Sequence, residues 1–272
     1  MLRVWLVLAT SIPAIVATGT LLVATSYREQ EPLPVSVHSS NAQAAELPGL
    51  SLNRTYSSSQ VPSRLNLGNR GGSALAMVGN GYRPREEVYL ADPSNYDQRV
   101  AVDAQGKTVD NDYIVVLHET VGSASSAVNL FQTAHPNDND QVSYHALIAS
   151  DGTVIYVVPP EQRAFGAGNS VFLSNKGEES VFTNPDFPSS VNNFAYHISL
   201  ETPIDGQNNN NATHSGYTEA QYQSLAWLIS RSTIPADRIT THARVDRSGS
   251  RSDPRSFEAE RLFRLLRQYR SE

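Results

Sequence analysis

The 272-residue chain contains no cysteine. Disulfides, thiolate nucleophiles, Cys-ligated zinc and lipid attachment through a Cys are therefore excluded, and any metal has to be held by His, Asp or Glu. The compartment stays open, because a chain without Cys is harmless in an oxidising one. Positive charge is also short: 21 Lys and Arg against 27 Asp and Glu give a net charge of −6. A general nucleic-acid surface is basic, so no nucleic-acid partner is expected. A His-Glu-x-x-His motif is missing too, which argues against the commonest helical zinc peptidase.

One long apolar run is present. Val4 to Ser26 is uncharged, with Arg3 before it and Arg28, Glu29 and Glu31 after it. About 20 apolar residues cross a bilayer, and the positive flank stays in the cytoplasm. Residues 1–26 are thus a signal peptide, with Ala42-Gln43-Ala44 as a cleavage site, or an uncleaved membrane anchor. Either reading exports the rest of the chain to the periplasm, the cell envelope or the medium. Residues 27–62, rich in Ser, Pro, Gln and Glu, read as a disordered linker. Residues 63–110 are punctuated by Gly71-Gly72, Gly79-Asn80-Gly81 and Asp92-Pro93-Ser94-Asn95. With short-strand candidates at Val88–Leu90 and Val100–Val102, they are expected to form an arm packed on the main domain, with nothing that asks for chemistry.

The main domain, 111–272, is organised around Tyr113–Thr120. Ile114 to Leu117 is an unbroken apolar run, the pattern of a central strand buried on both faces, and it delivers His118 to the rim of a sheet. Ser125 or Ser126 is expected to cap a helix carrying Val128, Leu130 and Phe131. His135 lies among Asp and Asn and reads as solvated. Tyr144–Ala149 and Val154–Val158 flank Asp151-Gly152, a strong hairpin signal. Tyr144 and His145 alternate along that strand, so at most one can face the site of His118. Val171 to Asn193 has no period and reads as a long groove-shaping surface loop. Phe194 to Thr202 is a further strand, Thr218-Glu219-Ala220-Gln221 has the form of a capping box, and Ile239–His242 is an extended segment ending in a second histidine. Ser256 is expected to cap a last helix.

Strands alternating with helices bring His118, Glu201 and His242 to one rim of an open α/β sheet, where such sheets hold their sites. Two imidazoles and a carboxylate suit a catalytic zinc with water in the fourth position. The sequence also resembles the zinc-dependent N-acetylmuramoyl-L-alanine amidases, the type that includes phage lysozyme-amidases and peptidoglycan recognition proteins. The segments that carry the resemblance are Ile114–Thr120, Val142–His145, Asp151–Val154, Ile198–Glu201, the Thr218–Leu228 helix, and Thr241-His242 with Arg251-Ser252-Asp253-Pro254, in the family's order.

The resemblance implies a single catalytic domain, a mixed central β-sheet flanked by helices, expected to be a monomer. It implies a Zn2+ cofactor held by His118, His242 and Asp253, with Glu201 as the acid/base group, Tyr144 positioning substrate or stabilising the transition state, and Arg251 where many members carry an oxyanion-stabilising Lys. Arg163, Arg244 and Arg247 could pair with stem-peptide carboxylates. Three departures stand out: Arg for Lys at 251, a loop between His242 and Asp253 that looks about one residue longer, and Phe165-Gly166 where many members show Trp-His. The expected activity is hydrolysis of the amide joining N-acetylmuramic acid to L-alanine in peptidoglycan or muropeptides. The alternatives are a recognition module of the same fold that binds peptidoglycan without cutting it, and a different zinc hydrolase.

Overall fold

The computed structural model describes residues 81–270. The expected leader or anchor, the linker and positions 63–80 lie outside them. Among the described residues no helix is long and apolar enough to cross a membrane. In chain order the strands are β1 (Glu86–Val88), β2 (Tyr96–Gln98), β3 (Ile114–Glu119), β4 (Ala146–Ile148), β5 (Val154–Tyr156), β6 (Gln162–Ala164), β7 (Phe172–Ser174), β8 (Gly177–Glu179), β9 (Ala195–Leu200) and β10 (Ile239–Thr241). The helices are α1 (Ala124–Gln132), α2 (Glu219–Ser230), α3 (His242–Val245) and α4 (Ala259–Arg270).

Six strands form one mixed sheet in the order β1-β5-β4-β9-β3-β10. All its pairs are parallel except the β4–β5 hairpin, whose turn needs the left-handed backbone of Gly152 at φ 87°. The unbroken apolar run of β3 follows from cover on both faces. Val115 and Leu117 pack with Tyr222, Leu225, Leu262 and Leu266 from α2 and α4, while Ile114 and Val116 pack with Phe172, Val181 and Val191 on the other side. Burying each such side chain is worth about 1.5–3 kcal/mol, which is why β3 and the equally buried β9 sit at the centre. The capping box opens α2: Gln221 N–H donates to Thr218 Oγ1 and the Gln221 side chain accepts from Thr218 N–H.

Several local expectations need correction. Ser123, not Ser125 or Ser126, caps α1, because its hydroxyl is the one within reach of the Ser126 N–H. The arm does not merely pack on the domain. Its β1 is an edge strand of the central sheet, two residues before the expected one, and the second expected strand shrinks to a bridge between Val102 and Thr108. Val171 to Asn193 holds the β7–β8 hairpin and a Val181–Ser190 bridge, with Val171, Phe172, Val181 and Val191 buried. Three-residue strands are too short to print a period. Ser256 does not cap α4; its hydroxyl exchanges hydrogen bonds with the backbone of His214. His135 is half-buried, its Nδ1 2.8 Å from Asn95 Oδ1.

Candidate active site

β10 runs parallel to β3 with Thr241 opposite Leu117, so the next residue of each chain, His242 and His118, emerge side by side. Their ring centroids are 4.6 Å apart. Asp253, eleven residues after His242, is brought back when Ala243 N–H donates to its carbonyl at 3.0 Å. Its carboxylate then lies 3.0 Å from His242 Nδ1 and 3.4 Å from His118 Nδ1. One ligand atom from each of these three residues falls within 4.8 Å of the others. His118 Nδ1 is buried and has no hydrogen-bond partner. An orphaned nitrogen facing a carboxylate and a second imidazole is what a bound cation would satisfy, so the donor set fits a metal such as zinc.

The electrostatics agree with the geometry. Burial drives the His118 pKa down to about 4, against an opposing pull from Asp253, so the ring is neutral at pH 7 and keeps a lone pair to offer. For Asp253, burial alone would raise the pKa, but the imidazoles of His118 and His242 that face it outweigh this and hold the carboxylate ionised. Tyr144 stacks on His118 at 4.3 Å, and burial pushes its pKa up, so it remains a hydroxyl. Of the two neighbours only Tyr144 lines the cleft, as alternation expects; the ring of His145 lies 5.8 Å from that of His197.

Glu201 is elsewhere. One carboxylate oxygen accepts from Ala124 N–H at 2.9 Å and the other from Ser150 N–H at 2.7 Å. It ties the start of α1 to the β4–β5 turn, and among the described residues no hydrogen bond links it to the His118–His242–Asp253 group. This corrects the acid/base role expected for it. The neighbour of His118 across β3–β9 is instead Ser199, fully buried, with an unpartnered hydroxyl.

His242, Asp253, Tyr144 and Arg251 line a cleft of about 780 Å³. The arm, assigned no chemistry from sequence, supplies Tyr96 and Asp97 to one wall; Thr183 and Phe187 of the 171–193 segment also line the cleft. Arg251 is exposed; its backbone N–H donates to Asp246, whose carboxylate also holds Ser248 and Ser250 N–H and so winds the long loop. Arg163 lines the cleft but is paired with Asp97 at 2.8 Å, and Arg247 is paired with Glu178. Arg244 is exposed and does not line the cleft.

A second set of residues was not visible from sequence. Glu119, next to His118, has its own set of partners: it receives Arg255 Nε and the Tyr217 hydroxyl, and His214 Nε2 lies 3.0 Å away. Arg255 sits two residues after Asp253, and its Nη groups also donate to the carbonyls of Gly206, Asn209 and Asn211. The loop carrying Asp253 is thus clamped to the end of β3 by a buried ion pair. The signal was present only as a charged residue one position after His118 and another two positions after Asp253.

A mixed sheet carries at its C-terminal rim a His-His-Asp group that could hold a metal ion. The profile of the N-acetylmuramoyl-L-alanine amidases matches residues 109–256, more than half of the chain. The chain belongs to that family of amide hydrolases. Among solved structures it is similar to a selenomethionine derivative of AmpD (26% identity over 70% of this chain and 99% of that one, TM-score 0.47). Others are AmpD of Citrobacter freundii (25%, 70% and 95%, TM-score 0.43) and AmpDh3 of Pseudomonas aeruginosa in complex with anhydromuramic pentapeptide (18%, 71% and 66%, TM-score 0.41). A search of curated proteins found no match.

Three outcomes follow. Glu201→Ala should cost stability, about 1–3 kcal/mol from unpaired backbone donors, while turnover per folded molecule is retained; urea titration and activity on the same samples check this. Arg255→Ala leaves Glu119 as a buried uncompensated charge and should lower stability by about 3–5 kcal/mol in the same assay. In the metal-free protein, burial depresses the pKa of His118, His145 and His197 alike. The unfolded chain therefore binds more protons than the folded one below about pH 6.5, the ordinary His value. Melting temperature should fall as pH drops from 6.5 towards the folded His118 value of about 4; a flat profile across that window would contradict buried neutral imidazoles.

Proposed function

We propose that this chain is an exported, zinc-dependent peptidoglycan hydrolase that cleaves the amide between the lactyl group of N-acetylmuramic acid and the L-alanine of the stem peptide. The observation that carries the reading is the convergence of His118, His242 and Asp253, with an orphaned buried His118 Nδ1, beside a large cleft in a chain of the amidase family. His118 and His242 would hold zinc through neutral imidazoles and Asp253 through its carboxylate. When bound there, zinc supplies a Lewis acid that polarises the scissile carbonyl and lowers the pKa of a water to about 7.

The chain's own groups do the rest. The protonated Tyr144 hydroxyl is available to donate to the oxygen on which charge develops, and Arg251 brings a fixed positive charge to the same cleft. Arg251 keeps the charge of the Lys common in the family but spreads it over a planar fork. The Tyr96 and Phe187 surfaces of the cleft offer apolar contacts for the sugar and peptide, with muropeptides or intact peptidoglycan as substrate. The uncharged run from Val4 to Ser26 supports export, by a cleaved signal or a retained anchor. One observation favours the alternative of a binding module that does not cut: with Glu201 engaged elsewhere, Asp253 is the sole carboxylate of the metal-binding group.

The deciding experiment incubates the purified protein with intact peptidoglycan and zinc, then looks by mass spectrometry for stem peptides with a new L-alanine amino terminus. They should appear, vanish with a chelator and return with added zinc. His118→Ala and Asp253→Ala should each lose zinc binding and product together. Stoichiometric zinc in the wild type with glycan and peptide still joined would favour the binding module. Full zinc occupancy in His118→Ala would sink the ligand assignment.

A further inference from the structure

We infer that His197 is the positioning residue of His118, and that Gly166 is the vacancy in the chain that lets it act. The inference rests on the metal-site reading above. His197 lies in the middle of β9, fully buried, with Nδ1 2.9 Å from His118 Nε2. A ligating imidazole binds metal through one nitrogen and carries its proton on the other, and that second N–H needs an acceptor to fix ring and tautomer. The nitrogen of His118 that faces Asp253 and His242 is Nδ1. Its proton therefore belongs on Nε2, and the acceptor within reach of Nε2 is the His197 Nδ1 lone pair.

The backbone of His197 is held: its N–H donates to His145 Nδ1 at 2.9 Å, and the two rings lie nearly parallel, 12° apart, while His197 Nε2 is buried without a hydrogen-bond partner. His145 is backed in turn by the Gln162 carbonyl at 3.2 Å from its Nε2. The opposite surface of His197 is packed on Gly166: a Cβ at that position would sit 2.6 Å from Cγ and from Nδ1 of the ring. That is far inside contact distance, and the atoms it would strike belong to a side chain with nowhere to go. Any side chain at 166 and the imidazole of His197 therefore compete for one space. In this chain the imidazole beside the first ligand arrives from strand β9, and the loop position is emptied to admit it. An uncharged acceptor orients His118 without adding negative charge, so Asp253 remains the only anion of the group.

The test compares two near-isosteric substitutions in the purified full chain. His197→Asn keeps an acceptor close to the position of Nδ1, and His197→Leu fills similar space without one. Zinc affinity is read by competition with a chromophoric chelator, and the ligand geometry by the visible spectrum of the cobalt-substituted protein. Circular dichroism reports folding. The Asn variant should stay close to wild type in both readouts, and the Leu variant should bind about 10- to 100-fold more weakly with an altered cobalt spectrum. Should the Leu variant fail to fold, Gly166→Ala replaces it. The new Cβ displaces the ring with His197 intact and should weaken zinc, and combining it with His197→Asn should recover part of the loss. Equal zinc affinity in folded Leu and Asn variants, or an unchanged Gly166→Ala, overturns this inference while leaving wild-type zinc binding and the amidase reading standing. A wild type that binds no zinc overturns both.

Discussion

A carboxylate held between two buried imidazoles is the constraint that the rest of the chain has to meet. Asp253 is mostly shielded from water, and removing an ionised carboxylate from solvent is costly unless donors or a cation replace the lost hydration. His118 and His242 come from adjacent parallel strands, so their separation is set by the sheet and hardly adjustable. The carboxylate arrives from a loop and has to be made equally fixed. The Ala243 N–H to Asp253 carbonyl bond does this on the near side. The Glu119–Arg255 pair does it on the far side, one residue beyond the ligand on β3 and two beyond the ligand on the loop. A single step along β3 takes the chain from the metal-binding group to the clamp.

The same logic explains the arm. Arg99 lies in a segment that looked like covering material, yet its guanidinium donates to the carbonyls of Pro160, Asn192, Asn193 and Ala195 and rests on the Tyr113 ring. Asn192, Asn193 and Ala195 lie where the chain enters β9, the strand that carries His197 and Ser199, and Pro160 lies in the turn before β6. Burial lowers the Arg99 pKa to about 10, which still leaves a cation at neutral pH. A buried cation with its donors spent on carbonyls organises irregular backbone that no sheet ladder reaches. With β1 as the sheet edge and Tyr96 and Asp97 in the cleft wall, the 81–110 segment is part of both the core and the site.

What was legible in the sequence was what ends a strand. His118 closes an unbroken apolar run and His242 a short extended segment, so pattern marked the first and position both. Asp253 was legible only through resemblance, since its approach depends on a loop whose course no local pattern prints. Glu201 was misread by the very rule that found His118. It follows an apolar strand, but β9 ends at Leu200, and its carboxylate is captured by the first N–H of α1, from Ala124, and by the N–H of Ser150. His197 and Ser199 were hidden for the opposite reason: a polar residue inside a buried strand reads as a satisfied core group. Gly166 carried no signal at all, because the use of a missing side chain is defined by what fills its place.

The displaced glutamate has a consequence for the charge of the group. Two neutral imidazoles and one carboxylate carry a single negative charge, so a divalent cation bound among them keeps an excess of one positive charge. A second carboxylate at the position of Ser199 would cancel it. Under the proposed metal-site reading, what orients the two imidazoles would matter most, because their contribution to binding has no charge behind it and depends on direction. A buried acceptor fixed behind His118 and a clamp fixed behind Asp253 are what such a group needs, and both are built from residues that lie outside the ligand set.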